Sequence, residues 1–464
     1  MRGPDNMLEV VNPFDQKPID AVILADWNMI DNWLETANNL HRNRGNWLPA
    51  YRRIYILKKT IKIMESRSER LAFQIANEGG KPLKDAHIEV SRAINSVELS
   101  IEELSHLAGT EVPMDLTQAG AERMAFTTRE PIGPVVAVSA FNHPLNLIVH
   151  QVVPAVATGC PVLVKPADDT PLSCKSFLNI LYEAGLPEEW CRFAPCDIPT
   201  AEKMVTDPRV AFFSFIGSSK VGWMLRSKLA PGTRCALEHG GAAPVIIDED
   251  ADRQSMIPNL LKGGFYHSGQ VCVSVQRIFA PKSQAAEIAE ELAVGASKLI
   301  VGNAIDPEID CGPLIRPREV TRIAGWVEEA VSGGADIIGG GKKLSDTTYE
   351  PTVLLNPSPD ARVSTTEIFG PVVCVYGYET MSQAFDQANA LPYAFQSSVF
   401  TKNLNVAMQA VQQLDASAVM VNDHTAFRVD WMPFAGRRQS GYNTGGIGHT
   451  MRDMTQEKMA VIKL

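Results

Sequence analysis

The sequence predicts an α/β protein built on parallel β-sheets, and three observations support this fold class. After residue 131, short apolar runs alternate with helix-like stretches. The length of 464 residues allows two or three domains. The composition, 45% hydrophobic and 21% charged, is that of a globular protein with ample core material. Alternating strands and helices need crossover connections, so we expect ligands at the carboxyl ends of the strands.

The part of the chain before this alternation is predicted to be mainly helical. Apolar residues recur at helical spacing in residues 51–65 and again in residues 88–107.

Two sets of strands follow. The first is predicted at residues 135–139, 162–164, 192–194 and 211–216, with helices at 145–158 and 171–184 between them. The second is predicted at residues 243–247, 277–280, 335–339, 372–378 and 418–422. Residues 111–129 and 456–464 fit neither set, and their patterns alone allow edge hairpins.

Composition excludes several classes of protein. The net charge of −10 argues against a general nucleic-acid surface. No run of eighteen apolar residues predicts a transmembrane helix, and the first ten residues lack the apolar core of a signal peptide. The eight cysteines show no CxxC pair and no histidine cluster, so no metal site is predicted. We expect reduced thiols and a cytoplasmic location.

The first candidates for chemistry are a cysteine and a glutamate, each beside glycine. Cys272 ends the segment SGQVC at residues 268–272, and Glu238 lies in LEHGG at residues 237–241. A thiol can attack a carbonyl carbon, and a carboxylate can activate a thiol or a water. Taken alone, such a cysteine is more often a core residue and such a glutamate a surface charge.

Four further motifs favour a catalytic role for Cys272 and Glu238. They are FNHP at 141–144, KPAD at 165–168, GSSKVG at 217–222 and EIFGPV at 367–372. In this order, and with Glu238 34 residues before Cys272, they resemble the aldehyde dehydrogenase superfamily across nearly the whole chain.

The resemblance implies a three-part architecture. A Rossmann-type cofactor-binding domain is expected over residues 1–109 and 131–239, and an α/β catalytic domain over residues 240–424. Residues 110–130 and 425–464 are expected to form a small β oligomerisation sheet and the C-terminal tail. A homodimer or homotetramer acting on a small-molecule aldehyde follows from the same resemblance, with no nucleic acid or membrane as partner.

The resemblance also implies roles for three catalytic residues. Cys272 would form a thiohemiacetal and then a thioester, and Glu238 would activate the hydrolytic water. Relatives that pass the acyl group to coenzyme A usually lack this base, so hydrolysis is favoured over acylation. Asn142, with the backbone N–H of Cys272, would bind the oxyanion. Two alternatives remain: a turn-capping role for Asn142, and a scaffold that binds without turnover.

Cofactor binding is expected without a GxGxxG fingerprint. Gly217, Ser218 and Gly222 follow a predicted strand and open a helix, whose N-terminus favours pyrophosphate. Lys165 and Asp168 match family positions that contact the adenosine ribose. The carboxylate at this position favours NAD, but it is one methylene shorter than the glutamate of NAD-preferring members, so NADP remains an alternative.

Two further positions concern the nicotinamide end of the cofactor. Glu367 and Phe369 match family residues that hold the nicotinamide ribose and pack near the ring.

The predicted substrate pocket is where this chain departs most from its relatives. His143 and His150 replace aromatic residues of relatives that act on apolar aldehydes, and Arg428 matches an arginine of relatives with small anionic substrates. Arg92 is a further candidate. These residues favour a small polar, anionic aldehyde such as a semialdehyde, a lactaldehyde-like compound, or a phosphono- or sulfo-aldehyde. The alternative is that each arginine forms a surface ion pair.

Two other departures lie near the catalytic residues. His239 follows Glu238 where the family commonly has leucine, and this change affects either the environment of the base or only the packing. Near Gly445 the chain lacks the glutamate of many members, so a proton-relay role cannot be transferred.

Overall fold

The structure is a computed structural model and describes residues 6–464. Its strands are β1 Met7–Val11, β2 Pro18–Ile23, β3 Glu111–Val112, β4 Arg123–Pro131, β5 Val135–Val138, β6 Val162–Lys165, β7 Cys191–Phe193, β8 Phe212–Ile216, β9 Arg234–Glu238, β10 Ala243–Ile247, β11 Val275–Pro281, β12 Asp336–Gly339, β13 Thr352–Leu355, β14 Val372–Tyr378, β15 Tyr393–Ala394, β16 Gln396–Phe400, β17 Ala418–Val421, β18 Arg437–Arg438, β19 Gly441–Tyr442 and β20 Thr455–Lys463.

The helices fill the connections between these strands. They are α1 Trp27–Arg42, α2 Ala50–Ser66, α3 Ser68–Gly79, α4 Leu83–Glu103, α5 Asn146–Thr158, α6 Pro171–Glu183, α7 Ile198–Val205, α8 Ser219–Arg226, α9 Arg253–Phe265, α10 Ala285–Ala296, α11 Pro317–Ser332, α12 Arg362–Thr365, α13 Met381–Asn389, α14 Leu404–Gln413 and α15 Ile447–Asp453. The helix predicted at 51–65 is confirmed as α2, whereas the one predicted at 88–107 begins and ends four or five residues earlier.

The first sheet has six strands in the order β19-β9-β8-β5-β6-β7. Every pair is parallel except β19 with β9, which confirms the predicted parallel arrangement. Helix α5 packs against it and is buried along its whole length, because its sequence is apolar on nearly every side. The sequence did not predict β9, whose five residues begin and end with the charged Arg234 and Glu238.

The second sheet has seven strands in the order β12-β13-β14-β11-β10-β16-β17. Five pairs are parallel, as the alternation predicted. Strand β12 is the exception and runs antiparallel to β13, because residues 340–351 return the chain without a crossover helix. Strands β13 and β16 were not predicted, although both are short and completely buried.

A third sheet joins the two segments that fit neither predicted set. Strands β4 and β20 pair antiparallel along nine residues each, and β3 adds to the other edge of β4. Within residues 6–464, no helix is long and apolar enough to cross a membrane.

The two larger sheets meet at a cavity. The loops after β5, β8 and β9 lie on one side of it, at the carboxyl edge of the first sheet. The loops before β11 and β14 lie on the other side, at the amino edge of the second sheet. The expectation that ligands lie at the carboxyl ends of the strands therefore fits the first sheet only.

Candidate active site

A cavity of about 380 Å³ lies between the two sheets and gathers most of the candidate residues. Its lining includes Cys272, Glu238, Asn142, Gly217, Ser218, Glu367, Phe369, His143, Arg92 and Arg428. Four candidates do not line it: Lys165, Asp168, Gly222 and His150.

Cys272 is held at the end of an unusual turn. His267, Ser268 and Gly269 have φ values of 48°, 55° and 69°, which is left-handed backbone. A side chain at Gly269 would place its Cβ only 2.1 Å from the Gly370 carbonyl oxygen, so glycine is required there. The turn delivers Cys272 to the cavity, and this thiol is half-buried while the other seven cysteines are buried.

The protonation of Cys272 is set by its surroundings. Burial raises the pKa of the thiol to about 12, and the Arg428 guanidinium opposes this shift. The group is therefore a thiol at neutral pH and needs a base to become a nucleophile.

Glu238 carries a carboxylate that has no cationic partner within the described residues, 6–464. It ends β9, where pairing with Gly441 of β19 fixes the backbone. Among residues 6–464, no side chain forms an ion pair or a hydrogen bond with its carboxylate. Burial raises its pKa, and Arg428 works in the opposite direction. Such a group can exchange a proton nearer to neutral pH than an exposed glutamate can.

Asn142 is fixed by one of its two amide hydrogens. Its Nδ2 donates to the Gln270 carbonyl at 3.0 Å, and the residue is 4% exposed. The amide nitrogen carries two hydrogens, so the second remains for a ligand in the cavity. Because Gln270 lies two residues before Cys272, this bond ties the amide to the loop that carries the thiol.

Of the residues expected at the adenosine and pyrophosphate part of the cofactor, Gly217 and Ser218 line the cavity, whereas Lys165, Asp168 and Gly222 lie outside its lining. Gly217 and Ser218 follow β8, and α8 begins at Ser219 with no side-chain cap on its free N–H groups. Uncapped N–H groups at a helix start bind anions, so this segment fits a dinucleotide pyrophosphate. Lys165 donates to Asp168 at 2.7 Å, and Ala167 between them lines the cavity.

Glu367 and Phe369 also line the cavity. Glu367 accepts a hydrogen bond from the Gly241 N–H at 3.2 Å, and burial raises its pKa to about 8. The Phe369 ring packs edge-on against Phe141, with ring centroids 5.7 Å apart. These residues fit a nicotinamide riboside, with hydrogen-bonding groups beside an aromatic surface.

His239 packs against residues 217–222. Its Nδ1 donates to the Gly217 carbonyl at 2.9 Å, and its ring contacts Phe215. A side chain at Gly222 would place its Cβ 2.0 Å from this ring, so glycine and histidine fit each other. His239, which stands where the family commonly has leucine, therefore has a packing role.

Arg428 is the cation of the substrate side. Its guanidinium lies 3.6 Å from the Phe434 ring centroid, and Nη2 lies 3.5 Å from His150 Nδ1. In the described part of the chain, no carboxylate forms an ion pair with it. Its Nε has no hydrogen-bond partner there either. The charge is therefore available to a ligand.

Asp430 compensates the charge of Arg92. The sequence predicted no role for Asp430. It accepts from Arg92 Nε at 3.0 Å and Nη2 at 2.8 Å, and from His150 Nε2 at 2.8 Å. Burial would raise the pKa of Asp430, but these bonds hold it well below its usual range. Arg92 thus lines the cavity with its charge compensated, and His150 lies behind Arg428. The position of Asp430, two residues after Arg428 in the sequence, was the signal that could have identified it.

Lys81 and Glu89 also escaped sequence reasoning. Lys81 is fully buried, forms an ion pair with Glu89, and contacts His143 Nδ1 at 2.7 Å. A charged residue on the apolar face of α4, as Glu89 is, was the signal that could have identified the pair.

Comparisons with known proteins agree with this geometry. The sequence matches the aldehyde dehydrogenase family over residues 1–460. The 3-sulfolactaldehyde dehydrogenase of Priestia megaterium is 34% identical over 98% of this chain and 95% of its own.

Solved structures lead to the same family. Aldehyde dehydrogenase 21 of Physcomitrella patens, in complex with the reaction product succinate, has a TM-score of 0.95 and 33% identity over 100% of this chain and 96% of its own. Glyceraldehyde-3-phosphate dehydrogenase of Methanocaldococcus jannaschii, complexed with NADP, has a TM-score of 0.93 and 32% identity over 98% and 99%. Other similar structures hold NADP or NAD⁺. The chain therefore belongs to the aldehyde dehydrogenase family, a family of NAD(P)-dependent oxidoreductases.

Proposed function

We propose that this enzyme oxidises a small, polar, anionic aldehyde to its carboxylic acid by covalent catalysis at Cys272. The observation that carries the substrate class is the guanidinium of Arg428, which lines the cavity. The charge of Glu238 acts on it, but among residues 6–464 no carboxylate forms an ion pair with it. A buried cation without a counter-ion is costly, and an anionic ligand offsets that cost. Arg92 does not serve this purpose because Asp430 already compensates its charge.

The names of similar proteins support an anionic substrate. Sulfolactaldehyde carries a sulfonate, and succinate, the product bound to aldehyde dehydrogenase 21, carries a second carboxylate. Lactaldehyde dehydrogenases are also similar, at 32% identity for the M. jannaschii protein, and their substrate is polar but uncharged. The shared feature is a small aldehyde with oxygen-rich substituents.

The catalytic cycle follows from the groups around Cys272. Glu238 accepts the thiol proton, directly or through water, and Cys272 Sγ attacks the aldehyde carbon to form a thiohemiacetal. The second N–H of Asn142 and the Cys272 N–H hydrogen-bond the oxygen that becomes negative. The chemistry that bound NAD or NADP supplies is acceptance of a hydride from the carbon attached to sulfur, which leaves a thioester.

Thioester hydrolysis completes the cycle. Glu238 first releases the thiol proton to solvent and then takes a proton from the attacking water. When the carbon–sulfur bond breaks, this proton passes from Glu238 to the leaving thiolate, so the acid leaves with Cys272 restored as a thiol. The raised pKa of Glu238 supports its role as a base that is regenerated near neutral pH.

The test is a matched pair of aldehydes assayed with Arg428→Leu. Charge-assisted hydrogen bonds contribute roughly 1.5–3 kcal/mol, so kcat/KM should fall by about 10- to 100-fold for succinic semialdehyde. For butanal, a neutral aldehyde of equal length, the fall should be smaller. The ratio of the two is the readout, because Arg428 also favours the Cys272 thiolate and that effect is common to both substrates.

Arg428→Lys is the matched control. It keeps the charge but loses the planar fork, so it should retain most of the preference for the anionic aldehyde. Equal losses on both aldehydes in the leucine variant would remove Arg428 from substrate recognition.

We further infer a homodimer or homotetramer formed through the third sheet. Strand β20 is an edge strand, and Met459, Val461 and Ile462 on it are 43–55% exposed. An open apolar edge invites a second chain. Light scattering at micromolar concentration tests the oligomer, and a monomer would contradict it.

The proposed division into domains follows the sheets. Residues 1–109 and 131–239 supply five of the six strands of the first sheet, and residues 240–424 supply all seven strands of the second. Residues 110–130 and 425–464 supply the strands of the third sheet apart from the last residue of β4. The eight unpaired cysteines support a cytoplasmic location.

A further inference from the structure

We propose that Lys81 is a positioning residue that holds His143 in one tautomer, with Nε2–H directed at an oxygen beside the aldehyde carbon of the substrate. The preferred substrates would then be anionic 2-hydroxyaldehydes. This inference rests on the proposed function, in which Arg428 binds the anionic end, and adds a second determinant at the other end.

The tautomer follows from the chemistry of the two partners. Lys81 Nζ lies 2.7 Å from His143 Nδ1. An ammonium has three donors and no acceptor, so Nδ1 must accept the bond and the ring proton must sit on Nε2. Glu89 Oε2 is 3.6 Å from the same Nδ1, beyond hydrogen-bonding distance.

Glu89 holds the ammonium of Lys81 in place. Lys81 and Glu89 form a buried ion pair, with side chains 0% and 1% exposed. The second oxygen of Glu89 accepts from the N–H groups of Leu145 at 2.9 Å and Asn146 at 3.0 Å. Because Leu145 is two residues after His143, one carboxylate fixes both the lysine and the backbone that carries the imidazole.

Lys81 occupies Nδ1 of His143, which leaves Nε2 as the ring nitrogen for a ligand in the cavity. His143 lines the cavity with its side chain 13% exposed, and in the described part of the chain its Nε2 has no hydrogen-bond partner. It directly follows Asn142, the expected oxyanion donor. A donor in this position reaches an oxygen close to the reacting carbon, whereas Arg428 lies on a different segment and reaches the anionic group.

Burial and the charge of Lys81 keep His143 neutral, against the opposing effect of Glu89. Lys81, Glu89 and Arg92 face it from α4 and the segment before it, and the rings of Tyr266 and His267 lie 6.2 and 6.4 Å away. Burial, and after it the charge of Lys81, lower the pKa of His143 to about 4. The imidazole therefore donates from Nε2 without change across neutral pH.

The first experiment compares 3-sulfolactaldehyde with 3-sulfopropanal, which lacks only the 2-hydroxyl. A site built to bond a hydroxyl rejects the analogue without it, so the wild-type enzyme should prefer the hydroxyaldehyde by about tenfold or more in kcat/KM. His143→Gln places an amide nitrogen near the position of Nε2 and should keep most of this preference. His143→Asn places it near Nδ1 and should lose it. No preference in the wild-type enzyme would overturn the inference and leave the anionic-aldehyde proposal intact.

The second experiment tests Lys81 through the pH profile. In the wild-type enzyme, KM for 3-sulfolactaldehyde should not change with His143 ionisation between pH 6 and 8. In Lys81→Met, Glu89 remains and the ammonium is gone, so the pKa of His143 rises and KM should fall several-fold as pH is lowered from 8 to 6. Lys84→Met, which removes an exposed lysine paired with Asp310, should leave the profile flat. A flat profile in folded Lys81→Met would overturn the role of Lys81.

A third measurement does not depend on a variant that might misfold. Nitrogen NMR of the wild-type enzyme labelled at histidine, with His143 assigned from its loss in His143→Gln, should show a neutral ring protonated at Nε2 at pH 7. A neutral ring protonated at Nδ1, or a doubly protonated ring, would overturn the inference whether or not any aldehyde is oxidised.

Discussion

Two pairs of buried carboxylates have opposite pKa shifts: Glu238 and Glu367, which line the cavity beside the expected cofactor, and Glu89 and Asp430, which lie behind its expected substrate side. On the cofactor side, burial raises the pKa of Glu238 and brings that of Glu367 to about 8. On the substrate side, Glu89 and Asp430 are also buried, yet their pKa values are held well below the usual range. The same type of side chain thus has a pKa raised toward neutral pH in the first pair and stays ionised in the second.

The difference lies in the neighbouring cations and not in burial. Lys81 pairs with Glu89, and Arg92 pairs with Asp430 through two bonds. Glu238 and Glu367 have no such partner among residues 6–464. The paired carboxylates Glu89 and Asp430 thus remain anions that hold Lys81 and Arg92, and neither forms an ion pair with Arg428.

The largest effect is expected from Cys272→Ala. Removing the nucleophile should lower aldehyde-dependent NADH formation by at least about 10⁴-fold. NADH binding, measured by fluorescence titration, should persist because the thiol is not needed to hold the dinucleotide. Cys374→Ala, in the core of the second sheet, is the control and should keep its turnover. Substantial turnover without Cys272 would contradict covalent catalysis.

Glu238→Gln tests whether the unpaired carboxylate is the base. Steady-state turnover should fall by about 10²–10⁴-fold. The first burst of NADH should also form more slowly, because Glu238 activates the Cys272 thiol before hydride transfer as well as the water after it. A base works when deprotonated, so wild-type activity should be lost as pH falls through the pKa of Glu238. Burial raises that pKa, which puts this acid limb above the ordinary carboxyl range of about 4.3.

The pH profile of the glutamine variant completes this test. Its acid limb should be absent, since the titrating group is gone. A steady-state rate and an acid limb that both remain would assign the base to another residue, with Glu367 as the next candidate.

The sequence predicted the fold better than the contacts between the candidate site residues. A contiguous motif such as GSSKVG at 217–222 can be recognised from adjacent residues alone. The strand predicted before it and the helix predicted to begin in it are confirmed as β8 and α8. The Lys81–Glu89 pair and the bond from Arg92 to Asp430 join residues up to 338 positions apart. Sequence spacing shows neither burial nor partner, so the different states of Arg92 and Arg428 could not be separated without coordinates.

Asp430→Asn would break the framework of the substrate side. It removes the charge that holds Arg92 and His150, and loss of one partner from a buried pair costs about 3–5 kcal/mol. Arg92 keeps some exposure, with its side chain 25% accessible, so we expect about 3 kcal/mol in the free energy of unfolding. Denaturant unfolding at fixed protein concentration measures it. Asp346→Asn is the control, because Asp346 and its partner Lys343 are both exposed and no measurable change in stability is expected. Equal stability of the two variants would show that the network is not needed for the fold.

The smallest effect is expected from Asp168→Ser, at the outer edge of the cofactor side. Asp168 accepts from Lys165 at 2.7 Å, but its side chain is 44% exposed, and solvent weakens both that pair and any repulsion of a 2′-phosphate. The variant removes a negative charge and frees the lysine, so both changes favour NADP. The ratio of kcat/KM for NADP to that for NAD should rise about tenfold, which corresponds to about 1.4 kcal/mol.

Asp169→Asn is the control, because Asp169 pairs with Arg316 and not with Lys165, and it should leave the ratio unchanged. An unchanged ratio in Asp168→Ser would place the adenosine ribose away from this carboxylate. Charge pairing would then govern only the substrate side, and cofactor choice would depend on shape along residues 217–222.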